Sequence, residues 1–116
     1  MPANLYASDV PYLDNGSDQV STNDTIGLCV PITNGGDEAS GDHDRIILHL
    51  AVDYSDENYD HYIAYPNLGP GDTGHGQVHL PAGTLSAGRW TAAARNENAS
   101  GFDTHFQFDV VDPSEG

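Results

Sequence analysis

The sequence predicts an all-β fold, a single antiparallel two-sheet sandwich of about seven strands with residues 1–116 forming one domain. Three observations carry this expectation. Apolar and polar residues alternate in several separate segments, the period of strands buried on one face. Clusters of Gly, Pro, Asn and Asp divide those segments and read as turns. No stretch of useful length repeats its apolar positions at the helical period. A small jelly roll is the alternative arrangement of the same short strands.

Taken in order, a short strand is expected near Leu5 to Val10, with the rest of residues 1–20 and the tail 111–116 extended. TIGLCVPIT, residues 25–33, places Ile26, Leu28, Val30 and Ile32 on one face, and NGGDEASGD follows as a polar turn. RIILHLAVD, residues 45–53, turns Ile46, Leu48, Leu50 and Val52 inward and Arg45, Ile47, His49 and Ala51 outward. The acidic loop YSDENYD leads to a short strand HYIAY, closed by Pro66. NLGPGDTGHG is expected to be irregular, because Gly and Pro dominate it, and QVHL then turns Val78 and Leu80 inward. Pro81 and Gly83 end that strand, Leu85 points down as a plug, and Gly88 opens the next strand. There Trp90, Ala92 and Ala94 share one face, and Arg89, Thr91, Ala93 and Arg95 the other. The turn NENASG leads to FDTHFQFDVV, with Phe106, Phe108 and Val110 inward.

With 116 residues the chain can bury one modest core. Its single cysteine, Cys29, can form no internal disulfide, so the core must hold the fold unaided. Three Arg and no Lys stand against fourteen Asp and four Glu, a net charge of −15. In dilute buffer such a body repels itself; at molar salt the screening length falls to about 3 Å and the repulsion fades. Nucleic acid is excluded as a partner, because phosphate contacts need clustered Lys or Arg. No run is apolar enough for membrane insertion, and MPANLYASDV lacks the basic and apolar regions of a signal peptide.

The lysine-free, Asp-rich composition resembles that of proteins from halophilic archaea and their viruses. LPAGTLSAGRWTAAA, within Val78 to Val110, resembles the last three strands, E to F to G, of immunoglobulin-like domains. TIGLCVPITNGG is similar to strand B of the CARDB type. The resemblance implies an immunoglobulin-like β-sandwich. It departs from the antibody subtypes, since no Cys pair can bridge the sheets and Trp90 falls on strand F rather than strand C.

Motifs for chemistry are sparse. His75 and His79 alternate onto one strand face and could present two imidazoles to a metal, but spacing supplies no third ligand. Asp53, Asp56, Glu57 and Asp60 offer hard oxygen donors without the spacing of a calcium loop. Loosely held Ca, Mg or K ions are therefore expected there and at DNGSDQ, with no cofactor. GPGDTGHG lacks the Lys of a phosphate-binding loop, and no nucleophile elbow or zinc-protease motif occurs. Sequons begin at Asn15, Asn23 and Asn98 and would accept glycans on an exported protein.

In an immunoglobulin-like sandwich strands C and F are neighbours. Arg45, Arg89 and Arg95 would then lie on one outer face with Ile47, His49, Thr91 and His105. Such a face is expected to dock a partner, an acidic one included, because Arg suits planar pairing at interface centres. The local alternative pairs Arg89 and Arg95 with Asp103 and Asp109, a weak interaction when exposed. The expected function is non-enzymatic: a decoration or other surface protein of a haloarchaeal virion, meeting other virion or cell-surface proteins, with a homo-oligomer such as a trimer conceivable. The alternatives are an adhesion or interaction module of a secreted haloarchaeal protein, and a metal-dependent hydrolase.

Overall fold

The computed structural model describes residues 3–42, 44–53 and 56–113. Two sheets enclose the core. The first joins β1 (Leu5–Ala7), β2 (Tyr12–Leu13), β4 (Ile26–Asn34) and β7 (Thr73–Leu80). The second runs in the order β3 (Gln19–Ser21), β9 (Thr104–Val111), β8 (Gly88–Asn96), β5 (Arg45–Val52), β6 (Asn58–Ala64). Among the described residues every pairing is antiparallel except β3 with β9. No helix among the described residues is long and apolar enough to cross a membrane. The fold is thus an all-β two-sheet sandwich, as the alternation predicts, of the immunoglobulin-like kind that the resemblance implies.

The inward register follows the sequence pattern. Ile26, Leu28, Val30 and Ile32 from β4 meet Ile46, Leu48, Leu50 and Val52 from β5, and Trp90, Ala92, Ala94, Phe108 and Val110 complete the core. Leu85 is buried as the expected plug between β7 and β8. Trp90 Nε1 donates to the Ser86 carbonyl at 2.9 Å, so the indole buries its ring while its N–H stays paired. Tyr59 stacks on it, centroids 6.0 Å apart.

Three sequence expectations need correction. The described residues carry nine strands rather than about seven, because the N-terminal segment contributes β1, β2 and β3 where one strand was expected near Leu5 to Val10. The strand expected at HYIAY begins three residues earlier, at Asn58, paired with Ala51. Residues 73–76, expected to be irregular, form half of β7. Their glycines serve close approach rather than flexibility. A Cβ on Gly76 would lie 2.8 Å from both Ile32 Cδ1 and Ile63 Cγ2, and one on Gly74 would strike the Tyr65 ring. Meanwhile β4 supplies the ladder, from Thr33 opposite Thr73 to Ile26 opposite Leu80.

One end of the sandwich is tied by buried polar groups. Asn34 Nδ2 donates to the carbonyls of Glu38 at 2.7 Å and Leu68 at 2.9 Å. Its Oδ1 accepts from the backbone N–H of Asn4 and Gly36. Ser40 Oγ donates to the Tyr65 carbonyl and accepts from Leu68 N–H. Burial demands such pairing, and here it joins the N-terminus to both loops at that end.

Candidate docking face

The outer face of the five-stranded sheet carries all three arginines. The register aligns Tyr62, Ile47 and Arg95 in one row, and Asp60, His49, Ala93 and His105 in the next. Asn58, Ala51, Thr91 and Gln107 form a third row, followed by Arg89 opposite Asp109. Arg45 stands at the near end of β5, opposite Ala64. The structure therefore brings Arg45, Ile47, His49, Arg89, Thr91, Arg95 and His105 onto one surface. Period-2 geometry requires this once β5, β8 and β9 are neighbours.

Each guanidinium has an intramolecular partner. Arg45 sends Nε and Nη2 to Glu97 Oε2, at 3.1 and 2.7 Å, and sits 4.7 Å from the Tyr62 ring centroid. Arg89 Nε donates to Asp109 Oδ1 at 3.2 Å, with the Arg side chain 57% exposed. The hydrogen bonds to Glu97 and Asp109 are the chief reason both guanidinium pKa values rise, so both stay charged throughout the range in which proteins fold. Arg95 Nη1 donates to the carbonyls of Asn96, Glu97 and Ala99, bracing the β8–β9 turn. Asp103, its expected partner, instead accepts from Ala7 N–H at 3.0 Å.

Phe102 completes the face; it opens the expected strand FDTHFQFDVV, but β9 begins only at Thr104, so the strand's alternation does not set the side on which Phe102 lies. Its ring centroid is 5.8 Å from that of His49 and 5.9 Å from that of His105, and Arg95 Cζ is 5.8 Å from its centre. His49 and His105 flank Ala93 in their row, so the ring lies across the middle of the sheet. Outward-facing Ala93 and Ile47, in this and the adjoining row, are buried. His49 Nδ1 lies 2.6 Å from Asp60 Oδ1. At the far end, Asp18, Arg89, Gln107, Phe108 and Asp109 line a shallow hollow of about 190 Å³, well below the size of a small-molecule site.

The weak metal candidates do not converge. Among the described residues, no three His, Cys, Asp or Glu side chains gather into a metal-holding group. Asp60 serves His49, the Glu57 carboxylate accepts from Ser86 Oγ at 2.9 Å, and Asp53 donates its N–H to the Arg89 carbonyl. Asp56 offers its carbonyl to Asn58 Nδ2. His75 and His79 lie exposed on β7, His75 Nδ1 being 3.4 Å from Tyr12 Oη. Tyr12, set over Cys29, has its phenol pKa raised, foremost by desolvation and then by the thiol.

No protein-family model matches the sequence, and no curated protein does. Solved structures match at low identity. A β-glucosidase from Erythrobacter marinus aligns over 94% of this chain with TM-score 0.67 and 13% identity. An alkylpurine DNA glycosylase of Pseudomonas fluorescens aligns over 93% with TM-score 0.61 and 11% identity. The chain covers only 16% and 30% of those two proteins. The CARDB domain of a Pyrococcus furiosus protein, solved in complex with di-metal ions, is covered to 94%, with TM-score 0.50 and 15% identity over 95% of this chain. What these structures share with the chain is the β-sandwich.

Proposed function

We propose that the chain is a non-catalytic immunoglobulin-like docking module adapted to high salt, engaging an acidic partner through the outer face of its five-stranded sheet. One observation carries the reading: in a protein of net charge −15 without lysine, all three arginines stand on that face. The face is also ordered before any partner arrives, since Arg45, Arg89 and Arg95 are held by Glu97, Asp109 and the turn carbonyls. Preorganised side chains lose less entropy on binding. The described residues hold one His–Asp pair, His49 with Asp60, and no cluster of three His, Cys, Asp or Glu side chains, so the docking reading is preferred to a catalytic one.

The finer proposal is a surface role on the virion of a haloarchaeal virus, which rests on composition and on fold-level analogy. The second setting is an interaction module of a secreted haloarchaeal protein. It is favoured by the exposure of Asn15, Asn23 and Asn98 at the three sequons, and by neighbours in which this fold is a fraction of a longer chain. Loosely held Ca, Mg or K ions near the acidic loops belong to both settings.

Arg89→Glu tests the docking face, because that side chain is exposed and outside the core. In about 3 M KCl, where charge is screened, the wild-type chain should co-sediment with its native assembly and the variant should not. Equal co-sedimentation of both rejects the proposal. Recovery in intact virions or in the glycosylated extracellular fraction decides between the settings.

A further inference from the structure

A sheet edge is a row of unpaired N–H and C=O groups, and proteins commonly block it with short strands, charges or proline. Three of the four edges formed by the described residues are blocked in that way. β1 and β2, on one side of β4, are three and two residues long, and Asp9 and Pro11 lie between them. β3 is three residues long, bracketed by Asp18 and Asp24. β6 runs for seven residues but carries Asp60 in its middle.

β7 has none of these devices within its length, although Asp72 precedes it and Pro81 follows it. Its eight residues, TGHGQVHL, contain no Asp, Glu, Lys, Arg or Pro. One side is paired to β4 along the whole length. No backbone hydrogen bond ties its other side to a described residue. The strand positions of the sheet surface beside it are also uncharged, and the nearest carboxylate there, that of Asp14, lies over Gly27 of β4 rather than at the β7 edge. Tyr6, Tyr12, Gly27, Cys29, Pro31 and Thr33 adjoin Thr73, His75, Gln77 and His79 across the register, so no strand position on that outer face is Asp, Glu, Lys or Arg. The opposite sheet's outer face, by contrast, holds Asp60 and Asp109.

We propose that a second copy of this chain pairs with the β7 edge, β7 against β7 and antiparallel, extending the four-stranded sheet into a continuous eight-stranded one. Charge selects the occupant. Two bodies of net charge −15 can meet closely only where carboxylate does not face carboxylate, and β7 is the long edge that satisfies this. A two-fold axis at Gly76 sets His75 opposite Gln77 of the second copy. An axis at Gln77 sets glutamine against glutamine and His75 against His79. Neither register opposes two acids, and both keep inward and outward side chains on their own faces. Eight residues provide a seam of about 27 Å at roughly 3.4 Å per residue. Its main-chain hydrogen bonds supply the affinity. The contact is distinct from the arginine face, which lies on the other sheet.

Sedimentation velocity of the full chain tests the proposal. In about 3 M KCl the expected species is a dimer, twice the 12.3 kDa chain mass, and in 0.1 M salt its dissociation constant should rise about tenfold or more as the screening is withdrawn. The double substitution His75→Glu and Gln77→Glu should give a monomer with an unchanged far-UV spectrum, whereas Arg89→Glu should leave the dimer intact. Wild-type β7 amides should also gain hydrogen-exchange protection with increasing protein concentration, a readout independent of how the variant folds. A wild-type monomer or trimer at high salt, a dimer that survives the double substitution, dependence on Arg89, or concentration-independent exchange at β7 overturns the proposal.

Discussion

Asn34 and Leu68 are joined across 34 residues of sequence: the Asn34 amide donates to the Leu68 carbonyl at 2.9 Å, and both groups are buried. Because the same side chain also serves Glu38, Asn4 and Gly36, its bonds stand or fall together. Asn34→Ala should therefore destabilise the fold by about 2–4 kcal/mol, the cost of leaving several buried backbone groups unpaired. Chemical denaturation measures it. A loss within experimental error would mean that the two loops hold their places without the amide.

Gly76→Ala tests the close contact of β7 with the opposite sheet. The new methyl would meet Ile32 and Ile63 at 2.8 Å, and overpacking of this kind costs about 1–3 kcal/mol. The midpoint of denaturation should fall accordingly. An unchanged midpoint would show that the two isoleucines move aside freely.

His61 offers a prediction of opposite sign. Its Nε2 is buried and has no hydrogen-bond partner among the described residues. Replacing an unsatisfied polar side chain by an apolar one of similar volume removes a desolvation penalty. His61→Leu should be neutral or stabilise by about 1 kcal/mol, read from the denaturation midpoint. A clear loss of stability would mean that the imidazole has a partner that geometry does not reveal.

Phe102→Ala should remove the ring lying beside His49, His105 and Arg95. The expected loss is about 1 kcal/mol, given a half-exposed ring and a cation–π contact. The more specific sign is local: amide exchange at Ile47 and Ala93 should quicken while β7 is unaffected. Uniform exchange across both sheets would place the ring's role elsewhere.

Salt should govern the whole molecule. With net charge −15, self-repulsion weakens the compact state in dilute buffer and is screened at molar salt. The melting temperature should thus rise between about 0.1 and 3 M KCl. A flat or falling curve would remove the case for salt adaptation.

The amino-acid order alone determined the two-layer β architecture and the facing of its long strands. Ile26 to Ile32, Ile46 to Val52, and Trp90 to Ala94 alternate with a period that leaves one orientation able to bury its apolar side. That same parity put Arg45, Arg89 and Arg95 on a common exterior once their strands became neighbours. Tertiary contacts decided what local pattern cannot encode. Gly74 and Gly76 resemble loop residues in sequence, yet Tyr65, Ile32 and Ile63 press where their side chains would be, and β4 supplies the ladder that makes them strand. Phe102 reaches His49 only because the β8–β9 turn folds back, and Arg95 finds turn carbonyls in place of Asp103. Long-range packing outweighs short-range propensity at those positions, because each contact joins residues that no sequence window holds together.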